Sequence, residues 1–286
     1  MNDTKRVVLP QGTIHYRDVG EGPPVVFVHG LLVNGSVFGD VPDRLKGYRC
    51  LVPHWPLGSH PEAMNADADL SSHGLAALIA AFLEKLDLRD VTLVGNDSGG
   101  ALCQFVCARH PERVGRLVLT TCDAFECFPP PAFQYLLTCA KVPGVMSVMS
   151  ASMRLIPALQ RMNTAYGNLT VTPIAQPLLD DWVGATADSG VRRDVGKFMR
   201  SIDSKQLLAA YETLKTFDKP VLLVWTPRDR NFPVTLAHRL LEVFPKAKLE
   251  LVDDAKVFVS LDQPAKVAEL IASQSWRSSA APTAAP

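Results

Sequence analysis

The stretch "VTLVGNDSGGALCQFVCARHPERV", residues 91–114, decides the fold. "VTLV" is an apolar run of strand type, and "GGALCQFVCARH" reads as a helix stopped by Pro111, with only a few residues to turn between them. A turn this sharp that presents a nucleophile needs a small residue two before and two after it, because side chains there would clash. Centring on Asp97 gives Gly95 and Gly99, whereas centring on Ser98 gives Asn96 and Gly100. The register therefore favours Asp97 as the presented nucleophile, with the Ser98 N–H as an oxyanion donor. The competing reading is a structural turn without chemistry. A phosphate-binding loop would need GxGxxG or a lysine-bearing glycine loop, and neither is present.

The bulk properties narrow the partners. The chain has 286 residues, is 47% hydrophobic and has a formal net charge of zero. That is enough for one large α/β domain with an insertion. The balanced charge argues against nucleic acid or an anionic membrane. Cys50, Cys103, Cys107, Cys122, Cys127 and Cys139 include no CxxC pair, and runs such as "ALCQFVCA" suit reduced thiols packed as small hydrophobes. The N-terminus has no signal-type apolar core, no run approaches a membrane span, and the end is Ala/Pro/Ser-rich. The expectation is a soluble cytoplasmic protein with a disordered tail over 276–286.

Outward from the elbow, "PPVVFVHG", "YRCLVPHW", "GRLVLTT", "KPVLLVW" and "AKLELV" read as strands buried on both faces of a parallel sheet. "RVVLPQGTIHYRDVG" reads as two short strands joined at Gln11-Gly12. In "SHGLAALIAAFLEKLDL" the residues Leu75, Leu78, Ile79, Phe82 and Leu86 share one helical face. Strands alternating with helices define an α/β fold with a mostly parallel sheet. The alternation breaks between 126 and 217, read as a helical cap over the sheet's C-terminal edge, where α/β ligand sites lie. Its Met149, Met153, Met162 and Met199 are expected in the core or the pocket wall. The expected core is 1–125 with 218–275.

These motifs together resemble the α/β-hydrolase fold superfamily over roughly 5–275. Within it they resemble the epoxide hydrolase and haloalkane dehalogenase branch, which uses an aspartate nucleophile. The resemblance implies that "VVFVHGLLVNGSVF" carries the second oxyanion amide at Leu31, and that Asp229 in "PVLLVWTPRDRNFP" is the supporting acid. It implies that "VDDAKVFVSLDQPAKVAELIA" should carry the general-base histidine. Here the letters are Lys256-Val257-Phe258, and the last histidine of the chain is His238. Dehalogenases of this branch place a tryptophan after the nucleophile, where this chain has Ser98.

A carboxylate attacks carbon without a base, since an ordinary aspartate is ionised at pH 7. Hydrolysis of the resulting alkyl ester does need one, and a positioned base contributes about 10²–10⁴-fold. His60, and less so His54, on the loop after the fourth strand are the candidates for a substitute. His29, Asn34, Trp55 and Tyr135 are candidates for the pocket, and Tyr135, Tyr166 and Tyr211 are the tyrosines available as cap acids. The expected function is hydrolysis of a small apolar epoxide, alkyl halide or ester, without cofactor or metal. The alternative is a non-hydrolytic descendant that binds a small ligand or catalyses a base-free step. The oligomeric state stays open, a homodimer included.

Overall fold

The computed structural model describes residues 4–276. Eight strands form one sheet: β1 (Thr4–Leu9), β2 (Gly12–Val19), β3 (Pro24–Val28), β4 (Arg49–Pro53), β5 (Val91–Asp97), β6 (Val114–Cys122), β7 (Val221–Trp225) and β8 (Ala247–Leu251). Their order is β1-β2-β4-β3-β5-β6-β7-β8. β2 pairs antiparallel with β1 and β4, and every other pairing is parallel. From β3 the chain runs outward to β4, then returns to place β5 on the other side of β3. That reversal makes the carboxyl ends of β3 and β5 the place where a ligand crevice opens.

The interior strands are apolar on both faces because helices cover both. Val25 to Val28, Leu93, Val94, Leu117 to Leu119 and the whole of β7 are buried. β8 differs from its sequence reading: it is half-buried along its length and Leu251 is exposed, because it is the sheet edge. The helix Ser72–Lys85 starts at Ser71, whose hydroxyl accepts from the Gly74 N–H, and it buries Leu75, Leu78, Ile79 and Phe82. Cys50, Cys103, Cys107 and Cys122 are buried, Cys127 and Cys139 half-buried, and all six thiols are free. Among the described residues no helix is long and apolar enough to cross a membrane.

Between β6 and β7 the described chain is helical, with principal helices Gln134–Lys141, Val145–Leu155, Gln176–Gly184, Ser189–Ser201 and Ser204–Leu214. The last of these packs against the elbow helix. Leu207, Tyr211 and Leu214 are buried in the main core, and the Tyr211 hydroxyl donates to Gln104 on the elbow helix. Asp203 caps that helix by accepting from the Lys205 N–H.

Polar side chains fasten the cap to the core. Asn34 donates to Asp181, Trp182 Nε1 donates to Ser36, and the Tyr166 hydroxyl donates to the Leu32 carbonyl. Met149 and Met153 line the cavity beneath the cap and Met199 is buried, whereas Met162 is exposed on the cap surface. Trp276, placed by the sequence in the tail, is buried with its Nε1 on the Leu270 carbonyl. The remaining tail residues, 277–286, lie outside the described residues.

Candidate active site

Asp97 is the residue at which β5 becomes the helix Ser98–Arg109, and its backbone is forced to φ 53°, ψ −133°. That conformation is strained for a residue with a side chain, of order 1–3 kcal/mol, and persists only where the surroundings impose it. The glycines are what allow it. A Cβ on Gly95 would lie 2.7 Å from the Gly100 Cα, and one on Gly99 would lie 2.1 Å from the Val28 carbonyl oxygen. Gly30 of the loop after β3 is equally constrained, since its Cβ would meet Asp97 Oδ2 at 2.3 Å. His110 leaves the helical region before Pro111 and ends the helix.

Asp97, Ser98, Leu31 and Val257 share one cavity of about 110 Å³. The rest of its wall is predominantly apolar and includes Phe133, Leu136, Met149, Met153, Leu169 and Phe232. The Ser98 N–H lies against the Asp97 carboxyl and favours its ionised form. The Leu31 N–H has no acceptor among the described residues, while the next amide, Leu32, donates to the Leu57 carbonyl at 2.8 Å. Leu31 and Ser98 thus both border the cavity beside Asp97.

The surroundings change the chemistry of the carboxylate. Asp97 keeps some surface, facing the cavity, but its carboxyl is otherwise enclosed by protein. Burial, with a further contribution from the Asp229 charge, pushes it up to about 7. The sequence reading, which took Asp97 as fully ionised at pH 7, is corrected on this point. Its ionisation falls within the neutral range.

Asp229 stands at the end of β7, buried, with Oδ1 accepting from the N–H groups of Asn231 at 2.7 Å and Phe232 at 3.3 Å. Its Oδ2 is buried with no hydrogen-bond partner. Burial pushes this carboxyl up to about 6, the two amides and Lys256 opposing the shift. Val257 sits where the resemblance calls for a histidine, 1% exposed and lining the Asp97 cavity. Its carbonyl accepts from Asn96 Nδ2 at 2.8 Å, so the loop is tied directly to the elbow. The Lys256 side chain turns outward to Asn168 Oδ1 at 2.7 Å.

The substitute bases do not reach the cavity. His60 is buried, with Nε2 facing Asp194 Oδ2 of the cap at 3.3 Å, and it does not line the Asp97 cavity. Its partner's geometry explains why: Asp194 also accepts from the Met64 N–H and Arg193, which makes it a core–cap anchor. His54 lines a shallow surface recess with Thr4 and Arg17.

Of the four pocket candidates only Tyr135 lines the cavity. His29 Nδ1 lies 2.9 Å from the Gly30 carbonyl and Nε2 accepts from the Trp55 N–H at 2.8 Å, which makes it a neutral structural imidazole, held down to about 3 by burial. Trp55 donates Nε1 to the Phe27 carbonyl inside the core, and Asn34 caps the turn at Ser36. Tyr135 and Tyr166 both reach the cavity, but their hydroxyls donate to the carbonyls of Thr164 and Leu32. Tyr211 lies outside it.

One residue escaped the sequence reading. Asp123, just past the end of β6, is 0% exposed, and neither of its carboxyl oxygens has a hydrogen-bond partner. Its N–H donates to the Asp97 carbonyl oxygen at 3.3 Å, and its own carbonyl accepts from Gln104 Nε2 at 3.0 Å. The signal available was an acid directly after the apolar run "RLVLTTC", at a strand's carboxyl end. Among the described residues no acid, histidine and cysteine cluster has the geometry to hold a metal ion.

Residues 23–264 match the family described as alpha/beta hydrolase fold, and the chain belongs to that family. It is 28% identical over 273 residues to haloalkane dehalogenase 2 of Mycobacterium tuberculosis, covering 91% of each chain. Among solved structures it superposes on a haloalkane dehalogenase from Bradyrhizobium elkani with a TM-score of 0.76 at 18% identity, covering 94% of this chain and 96% of that one. An esterase from Exiguobacterium antarcticum superposes with a TM-score of 0.72 at 19% identity, covering 93% and 97%.

Proposed function

We propose that this protein is a hydrolase that attacks a small, largely apolar alkyl electrophile, of epoxide, halide or ester type, with the carboxylate of Asp97. The supporting observation is the presentation of Asp97: a strained apex residue, fixed by Gly95 and Gly99, aimed into an apolar cavity. Attack forms a bond from a carboxylate oxygen to carbon as the leaving group departs with the electron pair. The product is an alkyl ester on Asp97. Neutralising the carboxylate relieves its desolvation, so the cavity favours the ester over the ion. The Leu31 and Ser98 amides are placed for the oxyanion that forms when water adds to that ester.

The histidine that would activate that water has no counterpart here. Asp229 keeps one buried carboxyl oxygen without a hydrogen-bond partner, and Val257 lines the Asp97 cavity with methyl groups. The test is intact mass after incubation with bromobutane or butylene oxide. A mass increase of one butyl or hydroxybutyl group, absent in Asp97→Asn, is the expected result. An adduct that persists in Asp97→Asn, or consumption of substrate unaffected by that change, would overturn the reading.

A further inference from the structure

Met146, Met149 and Met153 stand at three- and four-residue spacing on one face of the helix Val145–Leu155. Met149 and Met153 line the Asp97 cavity, and all three line a second, smaller cavity of about 50 Å³ inside the cap. The two cavities share four wall residues: Leu32, Met149, Met153 and Tyr166. Two of these are fixed to each other, since the Tyr166 hydroxyl donates to the Leu32 carbonyl at 2.7 Å. The other two are unbranched thioethers, which repack at little cost. The partition between the cavities is therefore partly made of side chains able to move aside.

The second cavity is mostly apolar, with Met146, Val183 and Val195 on its wall, but it carries one cation. Across both walls the charged residues are Asp97, in the first cavity, and Arg192, in the second. Arg192 Nη1 donates to the carbonyls of Thr186 at 2.6 Å and Ala187 at 2.7 Å, which fixes the plane of the guanidinium. Ser150 donates to the same Thr186 carbonyl at 2.8 Å, so the polar atoms gather in one place. The Nε–Nη2 edge of Arg192, the fork that fits a carboxylate, has no acceptor among the described residues.

We propose that the substrate is an unbranched alkyl electrophile with a carboxylate at its far end. Its reacting carbon lies at Asp97, its chain passes Met149 and Met153 into the second cavity, and its carboxylate pairs with Arg192. The inference rests on the reading of Asp97 as nucleophile. The charges set the orientation, because a carboxylate beside Asp97 would be repelled and left in an apolar wall, whereas Arg192 offers it an opposite charge. Each methylene buried along the way adds about fourfold to binding. With a bromoalkanoate, an Asp97 oxygen bonds to the terminal carbon as bromide leaves with the electron pair, and the distal carboxylate is unchanged.

Intact mass gives the rate of adduct formation with ω-bromoalkanoates, from bromobutanoate to bromododecanoate, and with the neutral 1-bromoalkanes of equal length. Wild type should favour the long acids, which should react about ten- to a hundredfold faster than their neutral counterparts. Bromobutanoate, whose carboxylate stays in the first cavity, should react more slowly than bromobutane. Arg192→Gln keeps N–H donors for the Thr186 and Ala187 carbonyls and should lower the preference for long acids at least about tenfold. Met146→Trp fills the second cavity; it should lower the rate with bromododecanoate relative to bromobutane, and it serves where the first variant fails to fold. Binding of unreactive dodecanoate, followed by calorimetry, reads the Arg192 end without the nucleophile and should weaken at least about tenfold in Arg192→Gln. No preference for long acids in wild type, or the same preference and dodecanoate affinity in Arg192→Gln, would overturn the proposal while leaving Asp97 as nucleophile. Dodecanoate binding that depends on Arg192, with no adduct from any bromoalkane, would instead overturn the reading of Asp97.

Discussion

The elbow at Asp97 and the loop after β8 lie on the same cavity but have opposite characters. At the elbow the neighbours hold a buried carboxyl at the cavity wall: Gly95 and Gly99 against backbone, a strained φ, and Leu31 and Ser98 lining the cavity beside it. At the loop the backbone is tied to Asn96, and the side chain that lines the cavity is a valine. The elbow holds a geometry that costs stability, while the loop presents no titratable side chain at position 257. On the proposed reading, formation of the ester and its hydrolysis therefore draw on different regions of the molecule.

The largest expected effect is on the elbow side. Asp97→Asn should abolish adduct formation with bromobutane in intact mass. Gly99→Ala should prevent correct folding or destabilise by more than about 3 kcal/mol in denaturant unfolding, since its Cβ would overlap the Val28 carbonyl. Opposite to that stands Val257→His, which puts an imidazole on the wall of the Asp97 cavity. It should speed release of the Asp97 ester by about 10²–10⁴-fold, measured as loss of the adduct mass with time. Equal release in that variant and wild type would show that the loop frame no longer supports a base.

A smaller effect lies in pH. Adduct formation should fall about tenfold for each pH unit below the Asp97 ionisation near 7, as expected for a single titrating nucleophile. Stability carries the same signature with its sign fixed by the direction of the shift. Asp97 is raised in the folded state, so its contribution is fully present below the ordinary carboxylate range and is lost as pH rises through about 7. Asp97→Asn should accordingly be more stable than wild type at pH 8, and the gap should close on acidification, as read from thermal midpoints.

The smallest effect on chemistry is at His60. Removing it from the buried contact with Asp194 should cost about 1–3 kcal/mol of stability and leave the rate of adduct release unchanged. A slowed rate with stability intact would return His60 to the site.

The fold was legible because its signals are local. Gly95 and Gly99 around Asp97, the Pro- and Gly-bounded apolar runs, and Pro111 after the elbow helix each constrain the chain within a few residues. β8 was overread because an apolar run cannot report that its strand is the sheet edge. The docking of the last inserted helix was not legible for a related reason, since nothing in "SKQLLAAYETL" says that Tyr211 will bond to Gln104.

The site was legible only where one residue carries its own backbone signature. Asp97 has such a signature, and Asp229 and Val257 were placed by the resemblance. His29, Asn34, Trp55 and His60 were chosen for residue type near the mouth, and their side chains instead satisfy buried polar groups of the core and cap. Asp123 was missed because an acid after a strand looks like any loop residue until the fold closes over it.

The central claim is that Asp97, not water, attacks the carbon of the substrate. A single turnover in heavy-oxygen water, with protein in excess over bromobutane, tests it most directly. Attack by Asp97 predicts butanol whose oxygen is unlabelled, together with heavy oxygen in the peptide that contains Asp97. Labelled butanol from that first turnover, with Asp97 unlabelled, would contradict it.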